Sequence, residues 1–317
     1  VAESLTAAAL GAALIHNPRS HRNRSIQLSI PPELPSAVPA TTDELRAALA
    51  GFAERGTRLL IVSGGDGTLR DILGLLPETF GANWPRIALI AAGNSNSVAI
   101  DVGSTSPGSK ALQRVLTAAK NDRWSREIRR PAITLRWPDG SREPVFGFFM
   151  GAAALTRATQ YARENVETGG RWSVITTLIA TFYRCIFGGS DWLDGSKMSI
   201  AFDDRPALEG RRFLFVATSL HTIMLHIWPF WNDAAGPLRY VEIDAHPRRL
   251  GRSLLPLLFG RPTKWMRSAG SGYRSGAATR MRLKLDSPLI VDGEAFAPDR
   301  EGRVDVEAGP MVHFVSP

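Results

Sequence analysis

Gly64-Gly65-Asp66-Gly67-Thr68 is the stretch of this sequence whose residue types best suit holding a phosphate. Neighbouring glycines let the backbone approach a ligand closely and take positive φ. The run sits where a continuous apolar stretch, Leu59-Leu60-Ile61-Val62, hands over to a helical pattern. A helix starting there presents free N–H groups and the positive end of its dipole, and both favour an anion. Thr68 adds a hydroxyl. Asp66 is the odd member, because a carboxylate beside a phosphate repels it. It makes sense if a Mg²⁺ ion lies between the two, or if the carboxylate handles a proton. As plain structure the same run is a tight turn with Asp66 as an N-cap. The five identities together favour the phosphate-binding reading.

A second acidic run lies late in the chain. Val291-Asp292-Gly293-Glu294 follows an alternating strand pattern and Pro288. A primary alcohol must lose its proton as a phosphoryl group arrives, so a carboxylate there would serve as base. The rest of phosphoryl transfer needs mainly positioning and charge neutralisation. Taken alone, Asp-Gly between strands is a hairpin turn. Two polar loops complete the set, Asn17-Pro18-Arg19-Ser20 and Gly93-Asn94-Ser95-Asn96-Ser97.

Positioning these groups falls to a strand and helix alternation in the first part of the chain. Ala12 to Ile15 reads as a strand ended by Asn17-Pro18, followed by a basic loop, Arg19 to Arg24. Thr41-Thr42-Asp43-Glu44 is a capping box opening a helix to about Glu54. Leu59–Val62 and Ile87–Ala91 are apolar runs of the kind buried on both faces of a sheet. The expected helix after the glycine turn runs from Thr68 to Leu76, ended by Pro77. This alternation predicts a parallel α/β domain. From about Arg130 the pattern changes to short β runs: Ala132–Arg136, Val145–Phe149, Lys197–Phe202, Arg212–Thr218, Leu238–Ile243, Met281–Leu285, Leu289–Val291 and Val312–Val315. The expectation is an α/β N-terminal nucleotide-binding domain, residues 1–128. A mostly β, sandwich-like C-terminal domain follows, residues 129–317, with helical insertions at about 152–190 and 247–268. Asp66 and Glu294 then come from different domains, and the reaction is expected in a cleft between them.

Composition narrows the field. The 317 residues carry a formal net charge of +8, which favours anionic partners without choosing among nucleotides, nucleic acid and acidic lipids. No nucleic-acid-binding motif accompanies the charge, so nucleic acid is not expected. The single cysteine, Cys185, permits no internal disulfide and no cysteine zinc cluster, and reads as a buried free thiol in a reducing compartment. His16, His221, His226 and His313 read as structural histidines. The start, Val1 to Ile15, lacks the basic opening of a signal peptide. The longest apolar stretch, Trp172–Phe187, is broken by Arg184 and falls short of the ~20 residues a spanning helix needs. A soluble or peripheral protein is expected, cytoplasmic and associated with the inner face of the membrane.

Together the four runs resemble the diacylglycerol kinase catalytic-domain family, which includes diacylglycerol, sphingosine and ceramide kinases and, more distantly, NAD kinases and phosphofructokinases. Gly64–Thr68 looks like its GGDGT signature. Asn17-Pro18-Arg19-Ser20 is similar to its NPxSG loop, Gly93–Ser97 falls where it has GTxND, and Asp292-Gly293-Glu294 is similar to its DGE motif. They occur in order from residue 17 to 294, which is most of the chain. The resemblance implies ATP bound by the first domain, with Asn17, Pro18, Arg19, Ser20, Gly64, Gly65, Asp66, Gly67 and Thr68 on the phosphates and Gly93 and Asn94 beside the nucleotide. It also implies a Mg²⁺ requirement, with Asp66 as the candidate metal ligand. Glu294 is implied as proton acceptor, with Asp66 and Asp292 completing the catalytic group.

The chain departs from the family in places. His21 stands where the NPxSG loop has glycine, the threonine and acid of GTxND are missing, and Asp71 replaces a glutamate after GGDGT. Met224-Leu225-His226-Ile227-Trp228-Pro229 replaces a glycine-rich stretch of the second domain. These departures mark a divergent member and point to a ceramide-like lipid, with diacylglycerol as the other acceptor. An NAD kinase is the first rival, but the chain has neither an Asn-Glu pair nor a Pro-Thr-Gly-Ser run. A non-catalytic lipid-binding regulator is the second, and retention of Asp66, Thr68 and Glu294 weighs against it.

A lipid kinase must reach its substrate in the bilayer. Arg248, Arg249, Arg252, Arg261, Lys264, Arg267 and Arg274 are interleaved with Leu254-Leu255, Leu257-Leu258-Phe259 and Trp265-Met266. That mixture suits an anionic membrane surface. Trp228, Phe230 and Trp231 are candidates for headgroup level, and Trp172–Trp192, with Phe182, Tyr183 and Phe187, for an acyl-chain channel. The opposing reading makes the aromatics core and the arginines a solvated face.

Overall fold

The computed structural model describes residues 11–104, 106–165, 193–223, 227–231 and 235–317. Cys185, the Met224-Leu225-His226 stretch and the proposed acyl channel at Trp172–Trp192 lie outside the described residues. The chain divides into two compact units, Val1–Arg130 with Met311–Pro317, and Pro131–Pro310. The sequence boundary at residues 128/129 differs from this in the tail, which belongs to the first unit.

The first unit is a parallel sheet flanked by helices. Its strands are β1 (Ala12–His16), β2 (Ser36–Ala37), β3 (Leu59–Gly64), β4 (Arg86–Ala91) and the end of β15 (Arg303–Ser316). Their order is β15-β4-β3-β1-β2, and every pairing is parallel. All six residues of β3 are buried, as its unbroken apolar run predicts for a strand covered on both faces. The connecting helices are α1 (Thr42–Glu54), α2 (Asp66–Phe80), α3 (Ser97–Asp101) and α4 (Gly108–Lys120). The expected cap on α1 is present: the Thr41 hydroxyl accepts from Glu44 N at 3.2 Å, while Glu44 accepts from Ala40 N.

Two expectations need correcting here. Helix α2 begins at Asp66, not Thr68, and passes through Pro77 to Phe80. Pro77 lies three residues before the end of the helix, where its missing N–H removes one helical hydrogen bond. The sequence reading also placed no element at α4. Its stripe of Ala111, Leu112, Val115 and Ala118 has helical spacing and packs on Leu14, Ile61 and Ile90.

The second unit is largely antiparallel β. Its strands are β5 (Arg126–Arg136), which enters it from Pro131, β6 (Val145–Gly147), β7 (Phe149–Ala153), β8 (Ser196–Phe202), β9 (Leu208–Thr218), β10 (Leu238–Asp244), β11 (Tyr273–Ala278), β12 (Arg280–Leu285), β13 (Leu289–Val291), β14 (Glu294–Phe296) and the first part of β15. The main path runs β14-β13-β7-β9-β8-β12-β15, with β10 on the other edge of β9 and β11 beyond it. Helices α5 (Ala154–Asn165) and α6 (Leu250–Leu258) supply the described parts of the helical insertions. The alternation of Met281 to Leu285 puts Met281, Leu283 and Leu285 into a core with Met150, Phe215 and Val306. A buried ion network crosses three strands of this unit: Glu242 on β10 lies between Arg212 on β9 and Arg274 on β11. Pairing is what makes burying Glu242 tolerable.

The single strand expected over Val145–Phe149 is two strands, broken at Phe148. The break has a cause in the late acidic run. Phe148 N and Phe149 N donate to the Asp292 carboxylate at 3.1 and 3.0 Å.

Candidate active site

Parallel strands present their carboxyl ends as a natural ligand crevice. In the first unit three loops meet there. The Gly64–Thr68 run ends β3 and opens α2, the Asn17 loop follows β1, and the Gly93–Ser97 loop follows β4. Each was singled out in the sequence, and the structure brings them together.

The closest meeting is between glycines. A Cβ built on Gly65 would lie 2.8 Å from Gly93 Cα, and one on Gly93 would lie 2.5 Å from Gly65 Cα. The two loops therefore pass backbone against backbone, at a separation that admits no side chain. Beyond that contact, α2 begins with Gly65 as N-cap and no side chain capping it. Its first N–H groups and dipole end are open to an anion. Asn17 ties the first loop to the same turn, its amide donating to the Thr68 hydroxyl at 2.8 Å. The Asn17 side-chain oxygen accepts from Arg19 N at 3.0 Å, and its carbonyl accepts from Ser20 N at 3.2 Å. Pro18 and Arg19 are exposed, and the Arg19 guanidinium reaches back to Ala40 O.

Asp66 does something the sequence did not predict. Its carboxylate accepts from Ser97 N at 2.9 Å, Val98 N at 3.2 Å and the Ser95 hydroxyl at 2.9 Å. It thus caps α3, the neighbouring helix, and fastens the glycine turn to the third loop. Burial pushes its pKa up, and these three hydrogen bonds offset the rise only in part. Both oxygens are committed to this junction, which disfavours the expected role as a metal ligand. Among the described residues no three His, Cys, Asp or Glu side chains form a metal-holding group. The side chains here do not fit a protein-built Mg²⁺ cage.

Two residues missed in the sequence hold the loops in place. Buried Asn23 donates to Asn17 O at 2.8 Å and to the Ser63 hydroxyl at 3.2 Å. Asn96 clamps Gly93 from both sides, accepting from its N–H and donating to its carbonyl, each at 2.7 Å. Asn96 takes a left-handed conformation, φ 50°, which asparagine tolerates better than most residues. Nothing in sequence spacing marks Asn23; an asparagine between a glycine loop and a helix start was the available sign for Asn96. His16 lies beneath this network, 3.1 Å from the Ser63 hydroxyl, and burial lowers its pKa. Asn94 is exposed on the third loop.

In the second unit, Asp292 and Gly293 form the tight turn of a β13–β14 hairpin, with Val291 paired to Glu294. Both turn residues have positive φ, 44° and 86°, as a two-residue hairpin demands. Asp292 was expected to be catalytic. Its carboxylate accepts from the backbone N–H groups of Phe148 and Phe149. Glu294 is exposed at the start of β14.

A wide pocket of the first unit lies elsewhere. It has a volume of about 1200 Å³ and is walled by Arg46, Arg58, Glu78, Trp84, Arg86 and Asp122. Arg58, Trp84 and Arg86 sit at the amino ends of β3 and β4, and Glu54 and Glu78, which also line it, at the carboxyl ends of α1 and α2. Helix carboxyl ends repel anions, so this pole is the wrong one for a triphosphate despite its size. Among the described residues no helix is long and apolar enough to cross a membrane.

Comparison with known proteins agrees with the loop geometry. The family model "Diacylglycerol kinase catalytic domain" matches residues 12–123. Three solved structures from Bacillus anthracis str. Sterne share the fold across nearly their whole length. A candidate diacylglycerol kinase is 15% identical with a TM-score of 0.63, the alignment covering 96% of each chain. A second candidate is 16% identical with a TM-score of 0.60, covering 96% of this chain and 97% of that one. A structure described as a diacylglycerol kinase is 15% identical with a TM-score of 0.56, covering 96% of each chain. No curated protein matches. The stretch matched by the diacylglycerol kinase catalytic domain model, residues 12–123, holds all three loops of the site.

Proposed function

We propose that the chain is an ATP-dependent lipid kinase that phosphorylates the primary hydroxyl of a membrane lipid, ceramide-like or diacylglycerol. The observation that carries this reading is the Gly65–Gly93 contact beside the uncapped start of α2. It offers a triphosphate bare backbone at the one pole of the sheet where helix dipole and N–H groups favour it. The family match of residues 12–123 supports ATP as the donor.

In this reading the glycine turn, Asn17 and Thr68 orient the triphosphate, and Asp66 acts as a positioning residue that fixes the turn against the third loop. The lipid hydroxyl oxygen bonds to the γ-phosphorus as the bond from that phosphorus to the bridging oxygen breaks, releasing ADP. The hydroxyl proton passes to the Glu294 carboxylate. Mg²⁺, if carried on the triphosphate, would neutralise phosphate charge, and it would need few ligands from the protein. Asp292 holds the hairpin that presents Glu294.

Incubation with labelled ATP, Mg²⁺ and a total lipid extract is expected to move label onto one lipid class whose mass rises by one phosphate. Label transferred to NAD, or to no acceptor although ATP binds, would overturn the proposal in favour of an NAD kinase or a non-catalytic protein.

A further inference from the structure

Helix α6 breaks the usual rule for a surface helix. Its inner face is ordinary: Ser253 and Leu257 are buried, and Leu257 packs with Ile243, Met266 and Tyr273. Its outer stripe, Arg252, Leu255 and the C-cap Phe259, should then be polar. Leu255 is instead 64% exposed and Phe259 53% exposed. They are two of five large hydrophobic residues exposed among the described residues, and they lie four positions apart on one face.

Charge surrounds this pair on one side of neutrality only. Arg248, Arg249, Arg252, Arg261, Lys264 and Arg267 are all exposed, and no aspartate or glutamate occurs between Ala245 and Leu285. Arg249 is fixed over the Trp265 ring at 5.1 Å, and Trp265 in turn packs edge-on against Tyr273. The aromatics that the sequence offered as headgroup anchors are mostly spent on the core: Phe230 is buried, and Trp228 packs against it at 5.0 Å. Arg267 edges a pocket of about 670 Å³ that also takes in Trp231, Arg239 and Arg274.

We propose that α6 and the loop to Arg267 form the surface by which this protein docks on an anionic phospholipid bilayer. Leu255 and Phe259 enter the acyl boundary, the surrounding cations lie at the headgroup phosphates, and the pocket beside Arg267 admits one anionic headgroup. Exposed apolar residues ringed by arginine match the two-part chemistry of such a surface, apolar just below and anionic at the top. A protein partner would call for mixed charge on this face, and a free anion has no use for Leu255 and Phe259. The inference rests on the lipid-kinase reading for its purpose, since a kinase of membrane lipid must stand at the bilayer, but its test requires no turnover.

The test is co-sedimentation of the full chain with vesicles of phosphatidylcholine, and with vesicles of equal parts phosphatidylcholine and phosphatidylglycerol. Binding to the anionic vesicles is expected to be at least roughly tenfold tighter and to weaken in high salt. Leu255→Ser with Phe259→Ser is expected to lower it roughly tenfold, with the circular dichroism spectrum unchanged because both side chains are exposed. Arg252→Gln with Lys264→Gln provides an independent variant pair and is expected to do the same. Equal binding to both vesicles, wild-type binding by both variant pairs, or displacement by inorganic phosphate beyond that by chloride of equal ionic strength would each overturn the proposal. Vesicle binding without phosphoryl transfer would strike the kinase reading alone, and transfer without anionic preference would strike the docking surface alone.

Discussion

Glu294→Gln is expected to lower phosphoryl transfer to lipid by about 10²-fold or more while leaving ATP affinity unchanged, as loss of a general base predicts. Glutamine keeps the size of the side chain and can no longer take a proton. Glu294 stands at the start of a three-residue strand, paired with Val291 across the Asp292-Gly293 turn. Its backbone is thus set by hairpin geometry that the substitution does not disturb, and Asp292 continues to hold Phe148 N and Phe149 N. A fall in turnover without a fall in stability or in ATP binding separates base chemistry from folding. Near-normal turnover in this variant rejects Glu294 as the base.

Gly65→Ala carries the second large effect, and it acts on a different step. The added methyl would lie 2.8 Å from Gly93 Cα, closer than real Cβ atoms come to a heavy atom, and the obstacle is backbone that cannot rotate aside. The glycine turn or the third loop must shift. Crowding of this kind costs about 1–3 kcal/mol of stability. The shift also moves the first N–H groups of α2, and a displacement near 1 Å at a phosphate site costs about 10²-fold in rate. ATP affinity and turnover should fall together, which calorimetric titration and the lipid assay both read. Gly51→Ala is the control: it lies in α1 with nothing within 4 Å of the added methyl, and it should leave both unchanged. Wild-type ATP affinity in Gly65→Ala would mean the triphosphate does not use this junction.

Much of the first unit was legible because its signals are local. The apolar runs of β3 and β4, the Thr41 cap and the glycine turn each declare themselves within a few residues. The antiparallel second unit was legible where alternation was clean, as at Met281–Leu285, and less so where a distant residue intervened. The break at Phe148 is set by Asp292, 144 positions away, and no window around Phe148 contains it. The same limit explains the site. The four runs could be found, but the sequence could not say that Asp66 spends its carboxylate on Ser97 and Val98, or that Asp292 spends its own on backbone amides. An acid in a motif looks like chemistry until its hydrogen-bond partners are known. The tail strand shows the complement: Val312–Val315 was recognisable as β, yet its parallel pairing with β4 places it in the first unit.

The central claim is that the triphosphate is held at the carboxyl ends of the first unit's strands, and a crystal structure with Mg²⁺ and a non-hydrolysable ATP analogue tests it most directly. The account predicts the phosphates against the N–H groups that open α2, within reach of Asn17 and Thr68, with Gly65 and Gly93 still in backbone contact. Phosphates lodged at the opposite pole, in the pocket walled by Arg46, Arg58 and Arg86, would contradict it.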